Sequence, residues 1–351
     1  MLAQVPEARG GQKMRILSNA CAPNYLLSAN PGVIHDAQYR DFDEQAERLI
    51  GFDQTYLQLT PGPFVGRFLS CFLSDNLSIH LEHCTQALEQ SVSGPGDVVT
   101  IGVLANAGEP FGLNGKPFTC DNVMISMPDA EFHLHSPVDG AVIAILIQRD
   151  HLQDHPGLTA QAKDWLLAPD FGTQLLHVPQ LARRIREDVV QALQGASVDR
   201  TEQVSATAIG EALLAGLVSK LSLETSGQVV SLSSLIGSAS YEKFLAGRNA
   251  IHRNWETIHR VDDLLAETGG GRRTLQNSFA AHVALGPLNY HRLLRLHMAK
   301  RSLADPTQIS ASIGDIAARY GFWNWSQFTK LYQSHFGQLP SDTRAEVGLF
   351  N

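Results

Sequence analysis

Two polar runs near the C-terminal end hold residue types that read nucleic-acid edges. In the first, Arg272, Arg273, Thr274, Gln276 and Asn277 follow Gly269-Gly270-Gly271. In the second, Trp325, Ser326, Gln327 and Lys330 follow Gly321-Phe322-Trp323-Asn324. Arginine can bond both acceptors of guanine, and asparagine or glutamine the paired groups of adenine, while tryptophan can press on a thymine methyl. Within 261–279 and again within 313–330, a short amphipathic run, a glycine and a second helix with one polar face form a helix-turn-helix pattern. That second helix is what a major groove admits. Two such units in one chain can read neighbouring grooves without a second copy.

The turns need glycine at 269 and 321, because a left-handed residue costs a side chain energy and glycine very little. Asn324 followed by Gln327 is a helix-start signature, Asn capping and Gln reaching back. It puts Trp325, Ser326 and Lys330 on the early turns of the second helix. Phe328, with Leu331 or Tyr332, turns inward, and Ala317 leaves room for a close helix crossing. Trp323, bulky and beside Phe322, is expected in the core. Between the units, residues 287–303 read as one connecting helix with Leu293, Leu296 and Leu303 buried. Its Arg292, Arg295, Lys300 and Arg301 remain available for phosphate or salt bridges.

Gly286-Pro287-Leu288-Asn289-Tyr290 and Arg295-Leu296-His297-Met298-Ala299 resemble the linker helix of AraC/XylS-type transcriptional regulators. So do the run 313–328, Tyr332, Phe336-Gly337, Pro340-Ser341 and Arg344. The resemblance covers residues 241–344 and implies sequence-specific binding to double-stranded promoter DNA, each unit placing a helix in one of two successive major grooves. By matching positions it implies base contacts from Arg273, Gln276, Asn277, Trp325, Ser326 and Lys330. Backbone contacts are expected from Arg272, Thr274, Arg295 and Gln327. Two positions depart from the family. Leu265 stands where a small residue is usual, and Gly271 where Ser is usual, so the first reading helix loses a hydroxyl cap. Phe52-Asp53-Gln54-Thr55-Tyr56-Leu57-Gln58-Leu59-Thr60-Pro61-Gly62 also looks like the sensor domains of the ethanolamine-operon regulator subgroup. In this family the sensor is often a cupin-like β-barrel that dimerises.

The 351 residues allow two or three domains. The net charge of -8 hides a split, because residues 241–344 hold 13 Lys/Arg against 8 Asp/Glu, whereas residues 1–240 hold 14 against 26. An acidic body with a basic terminal module suits a regulator better than a whole-surface polyanion binder. No run of about 18 apolar residues suggests a membrane span, and residues 1–15 lack a signal-peptide core. Cys21, Cys71, Cys84 and Cys120 are scattered and read as buried free thiols of a reducing cytoplasm.

The expected fold class is α+β in two domains: a cupin-like β-barrel or sandwich with accessory helices, then an all-α double helix-turn-helix. Residues 1–40 read as an irregular entry and 41–160 as a β-rich sensor. Within the sensor, strands are expected at 64–74, 77–84, 98–104, 122–127, 131–135 and 141–147. Residues 161–226 read as a helical packing or dimerisation segment, 227–240 as a Ser-rich linker, and 241–344 as the DNA-binding domain. The partners this implies are promoter DNA, a small-molecule effector, RNA polymerase and a second copy of the chain, with no cofactor. The alternative is a cupin-type metalloenzyme with an appended DNA-binding domain, using His133 and His135 on one strand face. It lacks the usual following glutamate, since only Asp139 is near, and His80 and His83 would face opposite sides of their strand. No phosphate-binding glycine loop, nucleophile elbow or clustered zinc-binding cysteines appear.

Overall fold

The computed structural model describes residues 32–49, 51–168, 171–198, 203–226 and 238–348. The first half is built from short strands: β1 (Ile34–Tyr39), β2 (Asp53–Gln58), β3 (Gly66–Ser74), β4 (Leu77–Cys84), β5 (Leu88–Ser93) and β6 (Val98–Leu104). There follow β7 (Phe111–Leu113), β8 (Lys116–Phe118), β9 (Asn122–Ser126), β10 (Glu131–Ser136), β11 (Gly140–Gln148) and β12 (Thr173–His177). One seven-stranded sheet runs β1-β3-β4-β11-β6-β9-β12, and a five-stranded sheet runs β2-β5-β10-β7-β8. Every strand pairing is antiparallel.

The period-two alternation of each strand decides what lies on either side of the larger sheet. Val99, Ile101 and Val103 of β6 and Ile143, Ile145 and Ile147 of β11 pack into one apolar cluster with helices. Those helices are α3 (Ala160–Leu166), α4 (Pro179–Val198) and α5 (Gln203–Ser226). On the opposite face, Leu104, Met124 and Leu175 meet Val92, Phe111, Phe118, Phe132 and Leu134 of the smaller sheet. The order is therefore helices, seven strands, five strands.

Neither sheet closes on itself, so the expected cupin-like barrel is not formed as a closed barrel. The two-domain α+β architecture is as expected. Residues 34–39, expected to be irregular, pair with β3 because edge positions accept a strand of mixed polarity. Strand β12 sits inside the stretch read as helical, and its five residues pair with β9. The short β7 and β8 were too brief for a periodic signal, and β2 and β5 were not expected as strands. Most of the expected linker, residues 227–237, lies outside the described residues, as does Cys21.

Helix α5 is, by length and composition over Ala206–Leu223, long and apolar enough to cross a membrane, contrary to expectation. Its Leu213, Leu214, Leu217, Val218 and Leu221 are buried in the protein's own core, whereas Ala208 and Ala212 are exposed. Two short helices complete this half: α1 (Phe42–Ala46), capped by Asp41, and α2 (Arg149–Gln153).

The second half is helical: α6 (Ala239–Arg253), α7 (Val261–Thr268), α8 (Arg272–Val283), α9 (Pro287–Ala304), α10 (Ile313–Arg319), α11 (Trp325–Phe336) and α12 (Pro340–Gly348). Helix α9 begins on Gly286 with Pro287 in its first turn, where a missing N–H costs nothing. Its 18 residues make a rod about 27 Å long at roughly 1.5 Å per residue. Most of them are buried, because neighbours cover it on several sides.

Candidate nucleic-acid interface

In the first unit, α7 ends on Gly269 at φ 66° and Gly270 follows at φ 78°. The turn thus uses two left-handed residues before α8 begins. Gly271 occupies the cap of α8 in extended backbone, and no side chain satisfies the first amides. Leu275, Ser278, Phe279 and Val283 face inward. Arg272, Arg273, Thr274, Gln276 and Asn277 are all exposed. Arg272 lends its Nη2 to both carboxylate oxygens of Asp262 at 2.7 and 2.8 Å, an exposed tie that water competes with.

In the second unit, the Ser312 hydroxyl accepts from Asp315 N at 3.1 Å and starts α10. Gly321 turns the chain at φ 77°. The amide N–H of Phe322 donates to the Ala317 carbonyl at 2.9 Å, where the small side chain of Ala317 is buried. Asn324 Oδ1 accepts from Gln327 N at 3.0 Å and starts α11. Phe328 and Tyr332 are buried, while Trp325, Ser326, Gln327 and Lys330 are exposed. Trp323 corrects the sequence reading: it is 83% exposed, because Phe322 takes the inward place beside Phe328.

On the connecting helix, two of the basic residues expected to serve phosphate or salt bridges form ion pairs. Arg292 is exposed, and Arg295 lies half-buried over the Phe322 ring. Arg295 Nη1 donates to the Tyr320 carbonyl at 3.4 Å, so it braces the second turn. Lys300 is not available to phosphate. It is buried, pairs with Asp41 and sits 3.4 Å from Asp43. Arg301 grips Asp43 through Nε and Nη2 at 3.0 and 2.8 Å and donates to the Tyr56 carbonyl at 2.7 Å. Burial pushes the Asp41 carboxyl up, but the Lys300 ammonium outweighs it and holds the group below its usual range.

These ties belong to a junction between the sheets and the helical domain. Arg248 of α6 forms a buried ion pair with Glu89 of β5, and its Nη2 donates to Ser91 Oγ at 2.7 Å. Tyr290 of α9 donates to Glu89 Oε2 at 2.7 Å. Burial raises the Glu89 carboxyl, yet Arg248 beside it wins and lowers it overall. Leu57 shares an apolar cluster with α6, α8 and α9, and Phe42, Tyr56 and Phe64 share another with α9, α10 and α11. A cavity of about 180 Å³ opens there, lined by Thr55, Leu57, Glu89, Arg248, Leu294 and Arg301 among others.

His133 and His135 also face this junction. His133 Nδ1 lies 3.1 Å from Ser91 Oγ, and the His135 ring meets Phe244 edge-on at 5.8 Å between centroids. Burial lowers both imidazoles to about 4, and the Arg248 guanidinium nearby works in the same direction. His80 is buried between Ser70 and Ser78, whereas His83 is half-buried near Asp139. Among the described residues no group of three or more His, Cys, Asp or Glu is arranged to hold a metal ion.

Two helix-turn-helix units joined by one rod define a double helix-turn-helix DNA-binding domain. Residues 264–346 match the family model described as a helix-turn-helix domain. Over 152 residues the chain is 31% identical to the XylDLEGF operon transcriptional activator of Pseudomonas putida, covering 43% of this chain and 46% of that protein. It is 33% identical over 91 residues to the HTH-type transcriptional regulator GbdR of Pseudomonas aeruginosa, covering 26% of this chain and 24% of GbdR. The crystal structure of the AraC-like transcriptional activator CuxR aligns with a TM-score of 0.41 at 14% identity, over 76% of this chain and 95% of that one. The alignments span less than half the length of these curated relatives. Residues 264–346 thus carry a helix-turn-helix domain similar to those of these transcription regulators.

Proposed function

We propose that the chain is a sequence-specific DNA-binding regulator of transcription, an activator whose sheet-rich half answers an effector. Helices α8 and α11 enter two successive major grooves of promoter DNA. Arg273, Gln276 and Asn277 read bases in the first groove, and Trp325, Ser326 and Lys330 read them in the second. Arg272, Thr274, Arg295 and Gln327 contact the backbone, Arg272 exchanging Asp262 for phosphate. The observation that carries this reading is the pair of helix-turn-helix units, each presenting exposed polar residues at the start of its second helix. Both units lie within or overlap residues 264–346, which match the helix-turn-helix family model.

In this reading the chain works in the cytoplasm as a homodimer, recruits RNA polymerase, and binds stoichiometrically, with neither turnover nor cofactor. The test is selection from a random duplex pool by the full chain, followed by titration at several salt concentrations. One enriched sequence, bound more weakly as salt rises, is the expected result. Equal binding of every duplex would end the claim of sequence specificity. The metalloenzyme alternative has no such support, because among the described residues His133 and His135 are not joined by a third potential ligand in a metal-holding group.

A further inference from the structure

Trp323 is the most exposed large apolar side chain among the described residues. It stands at the position just before Asn324, the cap of α11. An apolar residue there ordinarily folds back onto the fifth residue after it, fixing the angle at which the chain enters the helix. In α11 that residue is Phe328. Phe328 is already covered by Phe322, 5.3 Å away between ring centroids, and by Trp325 at 6.1 Å. Phe322 in turn carries the Arg295 guanidinium 5.5 Å from its ring centre. The fold therefore makes no use of the Trp323 indole.

A large aromatic left in water beside a binding surface marks a contact with whatever that surface meets. Trp323 is continuous with Asn324, Trp325, Ser326 and Gln327, which are also exposed. These residues form the leading tip of the reading helix, the part that goes deepest toward base edges. An indole has little hydrogen-bonding capacity but a broad apolar face, and the apolar group of the major groove is the thymine 5-methyl. We propose that Trp323 is a specificity-determining residue of the second unit, its indole packing on the 5-methyl group of a thymine beside the bases met by Trp325 and Ser326. This rests on the DNA-reading function proposed above.

The experiment uses the full chain and the duplex it enriches from a random pool. Each thymine is replaced in turn by deoxyuridine, which lacks only the methyl group. The wild-type chain is expected to lose affinity on the order of tenfold at one such position. Trp323→Ala should lose a similar factor on the intact duplex and lose nothing more when that methyl is removed. Trp323→Phe should recover part of the loss, and binding to a scrambled duplex should be the same for all three proteins. Enrichment of a sequence that Trp323→Ala binds as tightly as wild type would overturn the inference and leave the DNA-reading function standing. Equal losses on every duplex, or intact binding with lost transcriptional activation, would also overturn it, pointing to the backbone or to a protein partner. A pool that enriches nothing would sink both.

Discussion

His297 on α9 and His335 on α11 aim their Nε2 atoms at one acceptor, the carbonyl of Gln58, each at 3.1 Å. Both rings must therefore donate from Nε2. The side chain of Gln58 answers in kind, its Nε2 donating to the His335 carbonyl at 2.9 Å. One residue of β2 thus fastens both the connecting helix and the second reading helix to the sheets.

Burial lowers His335 to about 4 and His297 well below its usual value. Folding therefore favours the neutral rings, and the unfolded chain takes up their protons first. Stability should fall as pH drops from about 6.5 toward 4, on the order of 2–3 kcal/mol for His335 alone. His80, His133, His135 and His252 add to the same slope, being lowered to about 3 or 4. Glu82 opposes it, since burial raises its carboxyl and folding favours its proton. Urea titrations at pH 7, 6 and 5 check this, and a flat profile would count against it.

Removing one partner of a buried ion pair leaves the other charge stranded. Arg248→Met should destabilise the chain by about 3–5 kcal/mol, because Glu89 keeps only Tyr290 and its neighbours. The double variant Glu89→Gln with Arg248→Met should recover much of that loss. Chemical denaturation of the three variants decides it. A single variant within about 1 kcal/mol of wild type would show that the charge finds water.

Arg273 and Arg272 should behave differently on DNA. Arg273→Ala is expected to cost about 1–3 kcal/mol on the selected duplex and to relax preference at one base pair. Arg272→Ala should weaken all duplexes alike and flatten the salt dependence by about one ion. Competition binding with single-base variants separates the two, and swapped behaviour would exchange their roles.

Caps make the two reading helices unequal. Asn324→Ala removes the acceptor of Gln327 N and should cost about 1 kcal/mol of stability. Gly271→Ser adds the missing cap to α8, where backbone at φ -97° accepts a side chain, and should gain a few tenths of a kcal/mol. Thermal melts of both variants measure this.

Gly321 joins a left-handed backbone at φ 77° to a close approach by Arg295, whose guanidinium a Cβ would strike. Gly321→Ala should destabilise the second unit by more than about 1 kcal/mol. Gly269 has an open surround, so its alanine variant should suffer from backbone strain alone. Parallel melts of the two variants test that ranking.

Much of the helical half could be read from the chain, because glycine turns, the Asn324 cap and three- and four-residue spacing are local signals. The hairpin at Asp75-Asn76 and strand β6 were legible for the same reason. Misreadings came where the answer depends on distant neighbours. Trp323 looked like core because of its bulk, but the inward place was already filled by Phe322. For Lys300 the local pattern left phosphate and a salt bridge open, and Asp41, 259 positions earlier, decides for the salt bridge. Strands β5 and β12 carry Glu89 and His177 in mixed patterns, and only pairing across the sheets reveals them. The residues 52–62, noted for family likeness, contain the Gln58 that docks the helical domain, a role no local pattern encodes.

Helix α9 is both spacer and handle. Its middle sets how far apart the two readers stand, its Tyr290 and His297 are held by the sheets, and its Lys300 and Arg301 by the start of α1. A rotation of this shaft would carry both reading helices with it, because α8 and α11 each pack against it.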